Sequence, residues 1–273
     1  MISTRSRAGA LLGGAAGAAV GWGWFEAGWV RLRTLEIALP RLPEELAGLR
    51  IAHLSDFHLG LPSRGSHAVE RAIEWAAERA PDLVVITGDL VSRPRGEPIL
   101  RRLLDRLGPS FVVLGNHDVE HSDPFSRAAG LSDLAPARLL VDEAETVELR
   151  GRRVQIVGVD PRAYRQRRSH PWQLVDEAAD LRILLCHYPY VLDFLPPGAF
   201  DLVLAGHMHD GQISLPLGRT RRLRFAHLRT RFTAGIYEQR GGVMHISPGL
   251  GTTFVPFRIF ARPEATELVL QRD

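Results

Sequence analysis

The sequence predicts an α/β fold built around a parallel β-sheet. Three short apolar runs of strand length, at residues 49–54, 82–87 and 111–114, are separated by two segments with apolar residues at helical spacing. Such alternation of strands and crossover helices is typical of parallel sheets. A third regularity is that each run ends beside Asp, Asn or His residues, and runs later in the chain repeat this pattern.

Length and composition are those of a globular protein with a substantial core. The chain has 273 residues, of which 45% are hydrophobic and 24% charged, enough for one large domain or two small ones. Its formal net charge is +3, and every basic side chain is Arg, because Lys is absent. The single cysteine, Cys186, excludes an intrachain disulfide and a cysteine-based zinc site.

The N-terminus differs from the rest of the chain. Arg5 and Arg7 precede an uncharged stretch, residues 8–25, that is rich in Gly and Ala and about as long as a bilayer-spanning helix. A retained signal anchor, a cleaved signal peptide and a disordered leader are all open. Arg31 and Arg33 follow the stretch, so the flanking charges do not fix its orientation. The basic start favours export, and we expect membrane association on the extracytoplasmic face.

Three regions follow from this organisation. Residues 1–28 are assigned to the signal anchor or signal peptide, and residues 29–48 to a linker and first strand, with Pro40 and Pro43 opposing a helix. Residues 49–273 are assigned to one main domain. We expect helices at 66–80, 97–107 and near 171–179, a hairpin at 146–149 and 154–159, strands at 181–186, 201–205 and 265–270, and a closing hairpin at 233–238 and 243–246.

The residues that follow the apolar runs are of types that bind divalent metals. They are Asp56, His58, Asp89, Asn116, His187, His207 and His209. The two pairs separated by two positions would project from one face of an extended backbone. Ligand sites of parallel sheets lie beyond the carboxyl ends of the strands, so we expect these side chains to meet in one crevice.

Taken in order, these residues resemble the motif series of the calcineurin-like metallophosphoesterases. The motifs are Asp56-x-His58, Gly88-Asp89, Gly115-Asn116-His117-Asp118, His187 and Gly206-His207-x-His209. The resemblance covers the chain from about residue 49 to its end, and it implies a four-layer α/β/β/α sandwich. Residues 211–213, 215–217 and 247–251 further resemble bacterial membrane-linked phosphodiesterases related to UDP-diacylglucosamine hydrolases. Met208, Asp210 and Pro248 depart from that pattern.

The resemblance also implies roles for individual residues. One divalent ion would be held by Asp56, His58 and His209, a second by Asn116, His187 and His207, and Asp89 would bridge them. Manganese, iron, zinc and cobalt all suit this mixed nitrogen and oxygen ligation. His117 is the implied catalytic group that protonates the leaving oxygen or stabilises the transition state, and Asp118 is implied to orient it.

The function implied is hydrolysis of a phosphodiester or pyrophosphate bond by a metal-bound hydroxide. The substrate would be a phosphorylated small molecule or lipid, with a membrane lipid precursor suggested by the N-terminal segment. Two alternatives stay open: a nuclease or nucleotide phosphodiesterase that uses the same site, and a catalytically silent, membrane-tethered binding protein. The Arg-rich stretch at 219–231 fits a solvated loop or a lipid-headgroup contact, and it has few aromatic residues, so nucleic acid is not an expected partner.

Overall fold

The computed structural model describes residues 4–120, 127, 130–218, 221–226, 228, 230–239 and 242–273. Parts of the Arg-rich stretch and of the turn before residue 242 therefore lie outside the described residues. Five α-helices are present there: α1 Thr4–Ala27, α2 Gly65–Arg79, α3 Glu97–Leu107, α4 Asn116–Val119 and α5 Pro161–Arg165.

Fourteen β-strands are present in the same described ranges. They are β1 Arg31–Leu39, β2 Arg50–Leu54, β3 Leu83–Thr87, β4 Phe111–Val113, β5 Arg138–Leu139, β6 Glu143–Leu149, β7 Arg152–Gly158, β8 Leu181–Cys186, β9 Leu202–Ala205, β10 Ser214–Leu217, β11 Arg221–Arg224, β12 Gly235–Gln239, β13 Gly242–Ile246 and β14 Glu264–Arg272.

Two six-stranded sheets form the centre of the fold. The first has the strand order β1-β14-β2-β3-β4-β5, and β2 to β5 run parallel, joined in part by α2 and α3. The second has the order β12-β13-β9-β8-β7-β6, in which β13, β9, β8 and β7 are parallel. All five residues of β3 are buried, as expected for a parallel strand that is covered on both faces.

Three buried clusters define the layers. One lies between α2, α3 and the first sheet, and it includes Val69, Ile73 and Leu100 from the helices and Ile86 from β3. A second fills the space between the two sheets, and a third covers the outer face of the second sheet. The outer layer over the second sheet consists of α5 and 3-10 turns instead of long helices. The structure is thus the predicted mixed α/β sandwich.

The helix predicted near residues 171–179 is wrong. A 3-10 turn, Pro171–Leu174, is followed by irregular chain. The reason is a tertiary contact, because the Gln155 side chain on β7 donates to the Leu174 carbonyl at 2.7 Å and accepts from the Asp176 N–H at 2.9 Å. These bonds occupy backbone groups that a continuous helix would pair internally.

The N-terminal segment forms α1, and the strand expected within residues 29–48 is β1. This strand pairs in parallel with β14, the last strand of the chain, from Arg31 beside Glu264 to Leu39 beside Arg272. Within the described ranges, no helix is both long enough and apolar enough to traverse a bilayer. The division of the chain at residues 28 and 48 remains a prediction.

Candidate metal centre

The residues predicted as ligands lie at the carboxyl ends of strands from both sheets. Asp56 and His58 follow β2, Asp89 follows β3 and Asn116 follows β4. In the second sheet, His187 follows β8, and His207 and His209 follow β9. All of them are buried except His207, which is partly exposed. The sandwich therefore brings two rows of strand ends to one edge.

The local backbone is left-handed, not extended, at five of the seven predicted ligands. The φ angles are 55° at Asp56, 47° at His58, 53° at Asp89, 75° at His207 and 49° at His209. The reasoning that residues two apart share a face of a strand was therefore wrong about the backbone. The side chains nevertheless converge, because each chain segment turns sharply as it leaves its strand. Such conformations are strained for residues other than glycine and are concentrated at functional sites.

Two glycines permit the loops to approach each other closely. Gly88 has a φ of +88°, in the region that only glycine adopts readily. A Cβ atom at Gly115 would lie 2.1 Å from Oδ1 of Asp89 and 2.3 Å from its backbone nitrogen. The segment leading into α4 can therefore touch the Asp89 loop only because residue 115 has no side chain.

Asp89 lies between two groups of side chains whose ligand atoms face each other. Its Oδ2 is 3.5 Å from Nε2 of His58 and 3.3 Å from Nε2 of His187. On one side, Nε2 of His58 and Nε2 of His209 are 3.0 Å apart. On the other side, Nδ1 of His207 lies 3.1 Å from Nε2 of His187.

These contacts define two candidate cation positions that share one carboxylate. Asp56, His58, Asp89 and His209 form one group, and Asp89, His187 and His207 form the other; within each group all ligand atoms lie within 4.8 Å of one another. Clusters of imidazole nitrogens and carboxylate oxygens at such distances suit divalent metals.

Asn116 provides an independent test of this fit. Its Oδ1 atom is buried and has no hydrogen-bond partner among the described residues. A buried carbonyl oxygen without a partner is costly, and native structures rarely leave one unsatisfied. A divalent ion beside Asn116 would satisfy this oxygen. The residues present therefore fit the predicted metal site.

Groups behind the ligands hold the imidazole rings of His58 and His187 in place. Ser92 Oγ lies 2.7 Å from Nδ1 of His58, and the Thr87 carbonyl accepts from Nδ1 of His187 at 2.8 Å. The second contact leaves Nε2 of His187, which faces Asp89, as the ring atom available to an ion. Outer partners of this kind fix the tautomer and orientation of ligating histidines.

His209 has a different outer partner, the fully buried Arg258. Nη2 of Arg258 donates to Nδ1 of His209 at 2.9 Å. Because a guanidinium has only donors, the proton of a neutral His209 ring lies on Nε2, 3.3 Å from Oδ1 of Asp56. A metal binds the neutral ring through a lone pair, so an ion at Nε2 would require this proton to lie on Nδ1 and the Arg258 contact to change.

The electrostatic balance favours ionised carboxylates. Burial opposes the charge on Asp89, but the surrounding His187, His117 and His58 outweigh it and hold the Asp89 pKa well below its ordinary value. Burial lowers the His58 pKa well below its ordinary value. The pKa of His187 is raised to about 9, because Asp89 and Asp56 overcome the opposing effect of burial. The ionised Asp89 carboxylate thus places negative charge at the centre of the site, where it attracts cations.

His117 and Asp118 lie next to the site on the short helix α4. The backbone N–H of His117 donates to Oδ1 of Asp89 at 2.9 Å. The His117 ring packs against the His58 ring, with 4.7 Å between the ring centroids. The Asp118 carboxylate accepts the backbone N–H groups of Gly115, Leu90 and Val91. Burial and the neighbouring Asp89 raise the Asp118 pKa to about 7. The catalytic roles of both residues remain predictions.

Sequence reasoning missed three contributors to the site. Arg258 lies far beyond the motifs, and nothing in its local sequence marks it as a contact of His209. The Tyr188 ring packs edge-on against His187 and His207, and only its position after His187 could have drawn attention to it. Ser92 follows a strand as the ligands do, but serine is too common there to stand out.

Comparison with known proteins agrees with this geometry. Residues 49–211, more than half of the chain, match the family described as calcineurin-like phosphoesterase. The chain is 34% identical over 262 residues to a Danio rerio protein named transmembrane protein with metallophosphoesterase domain, covering 87% of this chain and 56% of the relative. It thus spans little more than half the length of that relative.

Two bacterial relatives match over more of their own length. The Bacillus subtilis protein named uncharacterized metallophosphoesterase YkoQ is 30% identical, with 80% of this chain and 82% of the relative covered. The Escherichia coli protein named phosphodiesterase YaeI is 27% identical, with 90% of each chain covered. The predicted class, a metal-dependent phosphoric ester hydrolase, is confirmed at the level of the family. Because the family match extends across residues 49–211 and two ligand clusters share Asp89, we conclude that this chain belongs to the calcineurin-like phosphoesterase family.

Proposed function

We propose that this protein is a two-metal phosphoesterase that hydrolyses a phosphodiester or pyrophosphate bond. The observation that carries the proposal is the position of Asp89, whose carboxylate belongs to both ligand groups. A carboxylate has two oxygens and can span two ions about 3.5–4 Å apart, the spacing of two-metal hydrolytic sites. Asp56, His58 and His209 would hold one ion, and Asn116, His187 and His207 the other.

The ions, when bound, would supply the positive charge that attracts a phosphate and lowers the pKa of water. The chain's own groups do the rest. Asp56 and Asp89 carry two negative charges between them, so a site with two dications keeps a net positive charge for an anionic substrate. Manganese, iron, zinc and cobalt all remain candidates for both positions.

His117 is the group proposed to deliver a proton to the leaving oxygen. Its Nε2 lies 4.0 Å from Oδ2 of Asp89, so the ring borders the shared carboxylate. An imidazole can carry a proton and release it to a leaving oxygen, so this side chain can serve as a general acid. Asp118 would act through the backbone, because its three N–H partners belong to the loops that carry Asp89 and Asn116.

The substrate proposed is a phosphodiester or pyrophosphate, with a membrane lipid precursor as its finer form. Support for a diester comes from the relative named phosphodiesterase, and support for a membrane setting comes from the relative named as a transmembrane protein. We extend the membrane proposal to α1 as an anchor or export segment, with the domain on the extracytoplasmic face. The UDP-diacylglucosamine hydrolase resemblance belongs to the same finer proposal.

Metal content and hydrolysis measured together test the proposal. The protein is stripped with a chelator, reloaded with Mn²⁺, Fe²⁺, Zn²⁺ or Co²⁺, and assayed for bound metal and for cleavage of bis-p-nitrophenyl phosphate. We expect two ions per chain and metal-dependent turnover. Asp89→Asn should lose at least one ion and more than about 100-fold in kcat/KM, because supporting groups alone cost 10–100-fold.

Asp105→Asn on α3 is the matched control, since it removes the same charge from an exposed position and should change neither quantity. A reloaded wild-type protein that binds fewer than two ions and hydrolyses no phosphoester would refute the proposal. A parallel panel of phospholipid-type diesters, nucleotides, single-stranded DNA and RNA separates the lipid substrate from the nuclease and nucleotide alternatives. Intact metal binding without any turnover would instead favour the silent binding protein.

A further inference from the structure

A second cavity, apart from the metal centre, lies between the end of α1, strand β1 and the β10–β11 hairpin. Its volume is about 440 Å³. Basic side chains dominate its charged lining: Arg31, Arg33, Arg222, Arg224 and Arg262, against the carboxylates of Glu26, Asp210 and Glu264. The lining therefore carries a formal surplus of two positive charges, and none of the proposed metal ligands is among the described residues that form it.

Two of the three carboxylates fix the arginines in position without neutralising them all. Oε2 of Glu264 lies 3.3 Å from Arg31 and 3.5 Å from Arg33. Asp210 likewise contacts two arginines, Arg224 at 2.9 Å and Arg222 at 3.7 Å. Each carboxylate thus holds a pair of guanidinium groups, which is an arrangement that pre-orients donors for a further anion.

The remaining acid and the remaining base are engaged elsewhere. Glu26 accepts the Trp22 indole N–H and the Ala261 backbone N–H, each at 2.8 Å. The Arg262 guanidinium lies over the Trp29 ring, 3.7 Å from its centroid, and donates to the Trp29 carbonyl. Burial and the neighbouring Arg31 lower the Arg262 pKa, as expected where positive charges are crowded.

The rim of the cavity is aromatic and open to solvent. Trp22, Trp29 and Phe260 line it and are 46%, 44% and 51% exposed. Phe25 packs against both tryptophans and is 45% exposed. Exposed Trp beside Arg is the combination found at membrane–water interfaces, where the ring lies at headgroup level and the cation meets lipid phosphate.

We propose that this cavity binds the phosphate headgroup of an anionic lipid, with the aromatic rim in contact with the bilayer interface. A soluble phosphate would use the arginines but would leave the four exposed rings without a role. A nucleic acid would need open ring faces for base stacking, whereas Arg262 already covers a face of Trp29. None of the proposed metal ligands lines this cavity, so lipid binding can be tested separately from the proposed hydrolysis.

Vesicle binding by the full chain tests this assignment. The protein is floated with neutral phosphatidylcholine vesicles and with vesicles containing 30% phosphatidylglycerol, in chelator, at low and at high salt. We expect preferential, salt-sensitive binding to the anionic vesicles. The double variant Arg33→Gln/Arg222→Gln should bind them about 30-fold more weakly, at roughly fivefold for each cation lost. Trp29→Ala should also weaken binding, because it removes part of the rim.

The matched control is Arg71→Gln/Arg101→Gln, which removes two exposed arginines from α2 and α3 and should bind as the wild type does. Both double variants should hydrolyse a soluble diester at the wild-type rate. Equal binding to neutral and anionic vesicles, or an equal loss in both double variants, would overturn the assignment. So would competition for the cavity by inorganic phosphate or a single-stranded oligonucleotide in the absence of any preference for anionic vesicles.

Discussion

Acid should destabilise this protein through a buried histidine pair behind the metal centre. Nδ1 of His53 lies 2.8 Å from Nδ1 of His245, and Nε2 of His53 lies 2.9 Å from Oγ1 of Thr87. The Thr87 hydroxyl donates its proton to Ser55, so it accepts from His53. His53 Nδ1 must then accept from His245, and both rings are neutral. The Thr87 carbonyl also accepts from His187, which links the pair to the site.

The magnitude follows from the pKa of His245. Burial lowers it to about 3, far below the ordinary value of about 6.5. Below pH 6.5 the unfolded chain therefore binds a proton that the folded chain does not, and stability falls as the pH falls. Between pH 7.5 and pH 5.0 this single group should cost about 2 kcal/mol, at roughly 1.4 kcal/mol for each pH unit below 6.5.

Urea unfolding of the chelated protein at several pH values measures this cost. Chelation keeps the metals from adding their own pH dependence. His245→Gln is the informative variant, because the amide can donate to His53 but cannot titrate. We expect the free energy of unfolding of this variant to fall by about 2 kcal/mol less than that of the wild type between pH 7.5 and 5.0. Parallel pH profiles for the two proteins would refute the reasoning.

Three further perturbations follow from the site and the core. His117→Asn should lower kcat on a diester with an alkyl leaving group by about 10²–10⁴-fold and leave the metal content unchanged. The loss on bis-p-nitrophenyl phosphate should be much smaller, because its leaving group needs no proton. Equal losses on both substrates would contradict proton donation. Gly115→Ala should destabilise the fold by about 1–3 kcal/mol and reduce bound metal, because its Cβ would lie 2.1 Å from Oδ1 of Asp89. Gly21→Ala is the control and should do neither, because a Cβ at that position would have no atom within 4 Å. Burial raises the pKa of the Cys186 thiol to about 12, so Ellman's reagent at pH 8 should label it only as fast as the protein unfolds; rapid labelling of the folded protein would show that the thiol is accessible.

Much of the fold could be predicted because its central strands, such as β3, are buried on both faces. A continuous apolar run such as the one that became β3 is recognisable in the sequence, and α3 was predicted with its observed bounds, Glu97–Leu107. The segment after residue 171 could not be predicted in this way. Its conformation depends on Gln155, which is distant in sequence, and local periodicity carries no information about such a partner.

The candidate site, like the fold, could be predicted only in part from the sequence. Residue type and local pattern were enough to indicate which residues are able to bind metal and that each follows a strand, and the family resemblance implied that Asp89 is shared. The distances within the two groups around Asp89, the Asn116 oxygen that has no partner among the described residues, and the contact of Arg258 with His209 depend on the tertiary structure. Ligand geometry and burial depend on distances between segments that lie far apart in the chain, and residue order alone does not specify those distances.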